Sequence, residues 1–327
     1  MIVMTSVEFD AYSLVMIYSA LVVYAIAFIA FAIDLSGRSM VTADAAAEAS
    51  AGESRSGRTA AEGSTTNVGV VERADVSTRS AIKFARVGIS LTALAWVLHI
   101  GSIVLRGVAD GHVPWSNMYE FSMVGTAVMA GVFLALNFKL DLKFLGTFVT
   151  GLVVLLLGVA TVNFYVSVVP LPVALQSPWL VIHVAVATLG TGFFAIGAGL
   201  SVAQLLSMSH QHKPEGTGFL TRLPSAERLE SLAYRVIVIG FVLWTFTLIA
   251  GAIWAEHAWG RYWGWDTKEV WTFIIWTLFA GYIHARATRG WRGSRSAWLA
   301  IVGFAAVLFN FSMVNLFFAG WHSYSGL

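Results

Sequence analysis

The chain has no cysteine among its 327 residues. That absence excludes disulfides, thiolate metal sites, iron–sulfur clusters and any cofactor held through a thioether of this chain. Charged residues are also few, at 12%, and the formal net charge is only +2, so the charge balance does not indicate a nucleic-acid partner. The sequence lacks a G-x-G-x-x-G fingerprint, a Walker loop and an H-E-x-x-H motif, which argues against nucleotide-driven transport and zinc hydrolysis by this chain.

Apolar residues, in contrast, are abundant. They make up 57% of the chain, and the mean hydropathy is +0.75, so the composition predicts a protein embedded in a membrane. A helix needs about 20 apolar residues to cross a bilayer. Eight stretches meet that need, at about residues 11–33, 84–105, 117–136, 143–160, 178–206, 231–253, 270–287 and 297–318. The predicted fold class is therefore an all-α polytopic membrane protein with about eight transmembrane helices.

Lysine and arginine set the expected orientation, because they are enriched in cytoplasmic connections. Seventeen of the twenty fall in connections 34–83, 137–142, 207–230 and 288–296 or the helix ends beside them. These are Arg38, Arg55, Arg58, Arg73, Arg79, Lys83, Arg86, Lys139, Lys143, Lys213, Arg222, Arg228, Arg235, Arg286, Arg289, Arg292 and Arg295. The other side holds Arg106, Arg261 and Lys268, so both termini are predicted to lie outside.

The domain organisation follows from composition. Residues 1–37 are expected to form the first transmembrane helix, because no Lys or Arg precedes the apolar run as it would in a secretory signal. Residues 38–80 are rich in small and polar residues and lack aromatics, which predicts a disordered cytoplasmic linker, a spacer more readily than a regulatory segment. Residues 81–327 are expected to form a seven-helix membrane domain with an outer loop at 254–271.

That outer loop is the most unusual segment of the chain. Six of the thirteen tryptophans lie between positions 254 and 276. They are Trp254, Trp259, Trp263, Trp265, Trp271 and Trp276. An interfacial aromatic belt accounts for scattered tryptophans, but this density favours a bed for a large planar apolar ligand. Asp266 and Glu269 stand three apart before a predicted helix, the spacing of a capping box. Lys268 and Arg261 offer cations to ligand carboxylates, and a solvated lysine without a ligand is an equal alternative for Lys268.

Two histidines are expected at the depth of this loop. His183 lies about five residues into the fifth span, roughly 8 Å below the outer edge, and His322 follows the eighth span. Imidazole is a common axial ligand of haem iron, and two of them would form a six-coordinate site. Taken singly, His183 also fits a buried histidine bonded to a carbonyl, and His322 a solvated tail residue. Their shared depth beside the tryptophans favours ligands.

Two more histidines fall inside spans. His284 lies about 21 Å into the seventh span, in the inner half of the bilayer, where an ionisable side chain indicates function. An interfacial position beside Arg286 is the alternative. His99 is predicted in the outer half, about 13 Å away in depth, so it is unsuited to bind the opposite face of one haem. His112 and His257 are outer-loop residues, and His210 and His212 inner-loop ones.

The stretch WAEHAWGRYWGWDTKEVW, residues 254–271, resembles the WWD signature of haem-handling proteins of cytochrome c maturation. Within that group the chain is similar to the CcsA/ResC type of the system II pathway, called CcsB in some bacteria. The likeness includes the eight-span layout, the segment GHVPWSNMYEF at 111–121, and the late histidines. The chain departs from the family at Thr267, where proline is usual, and in its long inner linker.

The resemblance implies a function. It implies non-covalent haem b at an outer site, with iron held by His183 and His322 against Trp254, Trp259, Trp263, Trp265 and Asp266. It further implies an intramembrane haem on His284, whose second ligand a ResB-type partner supplies. The complex would be a holocytochrome c synthase that attaches haem to the C-x-x-C-H motif of an apocytochrome c, in a bacterial plasma membrane.

Three other interpretations remain open from the residues alone. The chain could be a haem transporter without synthase activity, which the sequence does not separate from a synthase. It could be a redox subunit resembling cytochrome b, although no span carries the paired histidines usual there. It could also be a structural assembly factor whose tryptophans only form a belt.

Overall fold

The computed structural model describes residues 5–55, 67–211, 223–288 and 291–322, with side chains described outside 37–83 and 210–211. Within these ranges the chain is helical, with no strand. The α-helices are α1 (Ser6–Arg55), α2 (Asn67–Asp110), α3 (Met118–Asn137), α4 (Gly146–Asn163), α5 (Pro178–Gln211), α6 (Ala226–Trp259), α7 (Thr267–Ala287), α8 (Ser294–Phe311) and α9 (Met313–Phe317). Short 3₁₀ turns occupy Lys143–Leu145 and Val173–Leu175.

Seven helical segments among the described residues are long and apolar enough to cross a membrane. They are Ser6–Ser36, Phe84–Asp110, Met118–Asn137, Lys143–Asn163, Pro178–Ser209, Ala226–Trp259 and Ser294–Phe317. Each contains or closely matches a predicted span. The remaining predicted span, the seventh in chain order, corresponds to α7, whose 21 residues would extend about 31 Å but include Lys268, Glu269, His284 and Arg286. The all-α polytopic membrane fold is confirmed; the side on which the termini lie stays a prediction.

The segment expected to be a disordered linker, 38–80, lies only partly within the described residues. Backbone helix runs into it from both sides, to Arg55 in α1 and from Asn67 in α2, so its two ends are helical rather than irregular. Residues 56–66 lie outside the described residues, as do all side chains from 37 to 83. A linker role for this stretch stays a prediction.

The first three helices are joined by one buried cation. Arg106 of α2 has no exposed surface and lies 2.7 Å from the Asp10 carboxylate and 2.8 Å from that of Glu120. It also lies 2.8 Å from Asp110 and donates to the carbonyl oxygen of Val166 at 2.9 Å. A buried charge is tolerated only when it is paired in this way. Arg106 therefore fixes α1 and α3 against α2 at the end where α1 begins.

Helices α5 to α8 pack through aromatic rings set against glycines. Phe194 of α5 stacks on Phe279 of α7 with 3.6 Å between ring centroids. A Cβ atom at Gly240 or Gly303 would lie 2.9 Å from one of these two rings, so the absence of a side chain lets the helices approach. This packing places the start of α5, the end of α6, the start of α7 and the end of α8 around one cavity.

Candidate functional site

A cavity of about 210 Å³ lies within the described part of the chain. Residues of α3, α5, α6, α7 and α8 line it, together with the loop between α6 and α7 and the segment that follows α9. Its walls are mostly apolar and include Trp115, Phe121, Leu180, Trp254, Trp263 and Phe311. Ligand sites of proteins commonly combine such walls with a few placed polar groups.

His183 lies on this cavity, one and a half turns into α5. Its Nδ1 is 3.0 Å from the backbone carbonyl oxygen of Thr247 on α6. A carbonyl can only accept, so Nδ1 carries the proton and Nε2 keeps its lone pair. The ring is stacked on Trp254 at 5.9 Å with an interplanar angle of 13°. The hydrogen bond therefore orients the imidazole, and in the neutral form of the ring Nε2 is the nitrogen that can coordinate a metal.

His322 lines the same cavity from the other end of the sequence. Its Nδ1 is 2.7 Å from Oδ2 of Asp266, and its ring lies 5.5 Å from Trp254 and 4.8 Å from Trp259. An ionised carboxylate accepts only, so here too Nδ1 donates and Nε2 remains free. The structure thus brings two imidazoles separated by 139 positions to one cavity, with Trp254 in contact with both.

The predicted tryptophans take different positions. Trp254 and Trp263 line the cavity, and Trp254 is 2% exposed and donates Nε1–H to the carbonyl of Ala174 at 3.1 Å. Trp259 packs behind them, 4.8 Å from Trp254. Trp265 is 76% exposed and does not line the cavity. Its φ of 59° lies in the left-handed region, which a bulky residue rarely adopts, and this turn directs the ring outward.

The backbone of the loop is built by Asp266 and Glu269. They form the predicted capping box of α7: the Glu269 carboxylate accepts from the Asp266 N–H at 3.0 Å and from the Gly264 N–H at 2.8 Å. Asp266 accepts from the N–H groups of Lys268 at 3.3 Å and Trp321 at 3.0 Å. The same carboxylate therefore caps a helix and holds the segment that carries His322.

The electrostatics of this pair follow from burial and hydrogen bonding. Burial lowers the pKa of His322 below its ordinary value, although the hydrogen bond with Asp266 acts in the opposite direction. Burial alone would raise the pKa of Asp266, but hydrogen bonds from His322, Trp321 and Lys268 outweigh it and lower the pKa. At neutral pH the pair is therefore a carboxylate beside a neutral imidazole.

The other two predicted residues lie elsewhere. The side chain of His284 is exposed on α7, which packs on α6 and α8. His99 has no exposed surface and lies 5.9 Å from the Tyr24 ring. Its helix, α2, packs on α1 and α3. That His99 and His284 do not share one ligand stays a prediction.

The cavity lining also includes Asn310 and Thr247, which had no distinctive signal in the sequence. Three polar atoms of lining residues are buried and have no hydrogen-bond partner within the described part of the chain: Trp115 Nε1, Glu269 Oε1 and Asn310 Oδ1. Among the described residues that line the cavity, Lys268 is the only lysine or arginine. Its Nζ contacts Asn315 Oδ1. Thr247 acts only through its carbonyl, which any residue would supply, so sequence reasoning has no means to find it.

Comparison with known proteins places this arrangement in a family. The model of the family described as cytochrome C assembly protein matches residues 115–322, from the first cavity tryptophan to His322. This chain belongs to the cytochrome c assembly protein family. It is 35% identical over 260 residues to cytochrome c biogenesis protein CcsA of Guillardia theta. The aligned region covers 74% of this chain and 86% of that protein.

Two further family members give the same result. CcsA of Prochlorococcus marinus is 34% identical over 265 residues, covering 72% of this chain and 82% of the relative. CcsA of Gloeobacter violaceus is 32% identical over 292 residues, covering 73% and 86%. The resemblance to CcsA-type proteins is confirmed, and the family membership gives this membrane protein a role in cytochrome c biogenesis.

Proposed function

We propose that this protein binds haem b non-covalently in the cavity and presents it to an apocytochrome c on the outer side of the membrane. The observation that carries the proposal is the pair of imidazoles: His183 and His322 line one cavity, and each has its Nδ1 bonded and its Nε2 free. Neutral imidazole with one nitrogen fixed by an acceptor is the usual state of a histidine that binds a metal.

The rest of the cavity suits a porphyrin. Trp254 and Trp263 offer flat apolar faces, with Trp259 packed behind them. Lys268 provides a cation for a propionate carboxylate, and Trp115 Nε1 is a buried donor without a partner. Asp266 contributes by holding His322 rather than by touching the ligand. Trp265, exposed on the outer rim, is better placed to meet an approaching protein.

In this proposal haem is the cargo, and its covalent bonds form with the thiols of the apocytochrome C-x-x-C-H motif. Each S–H adds across a vinyl C=C bond, so no external oxidant or reductant is consumed in forming the thioether. This chain has no thiol of its own, so it cannot trap the haem covalently. Its residues bind and orient the haem and exclude water from the iron.

We assign His284 to a second, intramembrane haem whose other ligand belongs to a ResB-type partner. The supporting observation is its exposure on α7, since an imidazole in a spanning helix normally faces a protein partner or an aqueous cavity. The two proteins together would form the holocytochrome c synthase. The outer position of the cavity rests on the three Lys and Arg residues on its side of the membrane, against seventeen on the other.

The test is haem retention by single variants purified in detergent, measured as Soret absorbance per protein. We expect His183→Ala and His322→Ala to lose most outer-site haem and to recover part of it with added imidazole. His257→Ala is the matched control, because that imidazole is exposed near the end of α6 that carries Trp254 and does not line the cavity. Unchanged spectra in both cavity variants would overturn the assignment.

Co-expression separates the proposed activity from its alternatives. With an apocytochrome c and the ResB-type partner present, covalent cytochrome c should form. His284→Ala should reduce it together with the haem in the outer site, because in this proposal haem reaches the outer site through the intramembrane one. Haem accumulation without covalent product would instead indicate a transporter. Reduction of a quinone by the purified chain would indicate a redox subunit.

A further inference from the structure

The two imidazoles of the cavity are held by chemically different acceptors. His183 Nδ1 donates to a neutral peptide carbonyl, that of Thr247, at 3.0 Å. His322 Nδ1 donates to a carboxylate, Asp266 Oδ2, at 2.7 Å. Hydrogen bonds to ionised acceptors are shorter and roughly twice as strong as those between neutral groups. The two histidines are therefore not equivalent as ligands.

We propose that Asp266 is a positioning residue that makes His322 the retained axial ligand and leaves His183 as the ligand that the histidine of the incoming apocytochrome displaces. The inference rests on the proposed function, since it concerns the same haem. Transfer of haem to C-x-x-C-H requires that one axial histidine leave the iron. We infer which one leaves from the atom that accepts the Nδ1 hydrogen bond of each imidazole.

The physical reason is ligand basicity. A carboxylate behind an imidazole withdraws the Nδ1 proton partially and increases electron density at Nε2, which strengthens the bond to iron. A peptide carbonyl polarises the ring less. Removal of a partner of this kind typically weakens metal binding 10- to 100-fold. His322 should thus bind iron more tightly than His183.

The carboxylate is itself fixed in place. Oδ1 of Asp266 accepts from the Trp321 N–H at 3.0 Å, and Oδ2 accepts from the Lys268 N–H at 3.3 Å while it holds His322. A Cβ atom at Gly320 would lie 2.2 Å from Oδ1, so the backbone of the tail approaches Asp266 directly. Asp266 thereby links the start of α7 to a ligand that is 56 positions later in the chain.

The experiment places Asp266→Asn in the two single-histidine backgrounds. Asparagine is as good an N-cap as aspartate, so α7 keeps its cap while the negative charge behind His322 is lost. In His183→Ala protein only His322 holds the haem, and we expect Asp266→Asn to weaken haem retention about 10- to 100-fold. In His322→Ala protein only His183 holds it, and we expect no change.

Haem affinity is measured by transfer to apomyoglobin, and the reduction potential of the bound haem is recorded for the wild type and for Asp266→Asn alone. The potential should rise in Asp266→Asn, because a less basic imidazole stabilises ferric iron less. Equal weakening in both backgrounds would mean that Asp266 acts only on the fold, and would overturn the inference. If neither histidine variant changes haem binding, it is the proposed function that fails instead.

Discussion

At the scale of single residues, the position of His183 depends on a glycine that faces it. A Cβ atom at Gly251 would lie 2.7 Å from Cε1 and 2.9 Å from Nδ1 of His183, closer than carbon atoms pack. Gly251 also lines the cavity, and it stands four residues after Thr247, the acceptor of the His183 hydrogen bond. The small residue therefore allows α6 to approach the imidazole and orient it.

We predict that Gly251→Ala lowers outer-site haem several-fold, because the imidazole must turn away and lose its bond to Thr247. The substitution should not destabilise the helix, since alanine is favoured over glycine there by about 1 kcal/mol. Soret absorbance per protein and the melting temperature measure the two effects. Gly281→Ala is the control, because a Cβ atom there meets nothing within 4 Å. Full haem occupancy in Gly251→Ala would contradict this account of His183.

At the residue scale, the sequence indicated which histidines could lie near the tryptophan loop, but it did not indicate how side chains of that loop are oriented. Spacing from the span ends predicted that His183 and His322 share a depth with the tryptophan loop, and the structure brings both to one cavity. Composition could not separate Trp263, on the cavity, from Trp265, two residues later and exposed. That difference comes from one left-handed φ angle, which has no signal in residue type.

At the scale of helices, Arg106 shows how buried charge joins α1, α2 and α3. The sequence assigned Arg106 to the small group of outer cations, with no indication of a partner. The structure surrounds it with Asp10, Asp110 and Glu120. Asp10 is 96 positions from Arg106 in the chain, so only helix packing brings the two together.

We predict that Arg106→Ala destabilises the protein by about 3–5 kcal/mol, because it leaves buried carboxylates without a counter-charge. Thermal unfolding in detergent measures the loss, together with the amount of protein in the membrane. Arg86→Ala is the matched control on the same helix, since Arg86 is exposed. A melting temperature for Arg106→Ala equal to that of Arg86→Ala would show that the carboxylates are stabilised by other means.

At the scale of the whole molecule, the proposed outer haem site depends on the orientation of the protein in the membrane. The apolar helices alone do not determine which end of the bundle lies outside. The Lys and Arg residues of the connections do, because they are unequally distributed between the two sides. Because the chain has no native cysteine, a single introduced cysteine is its only thiol. Labelling of that thiol therefore shows on which side of the membrane the residue lies.

We predict that Val173→Cys is labelled on intact cells by a membrane-impermeant maleimide, whereas Phe138→Cys is labelled only after the membrane is opened. Val173 lies in the connection before α5 and is 85% exposed, and Phe138 directly follows α3 and is 90% exposed. Each introduced thiol therefore reacts once the maleimide reaches its side of the membrane. The reverse pattern would place the cavity in the cytoplasm and remove the proposed meeting with apocytochrome c.

Residue types along the chain were sufficient to predict the membrane class and the helices, because these depend on hydrophobic length and on a fixed rise per residue along a helix. The packing of the helices was needed to show which atom accepts the hydrogen bond of each imidazole and which tryptophans face the cavity. Those choices depend on contacts between segments far apart in the chain, such as Asp266 with His322 and His183 with Thr247, and such contacts leave no periodic signal along the chain.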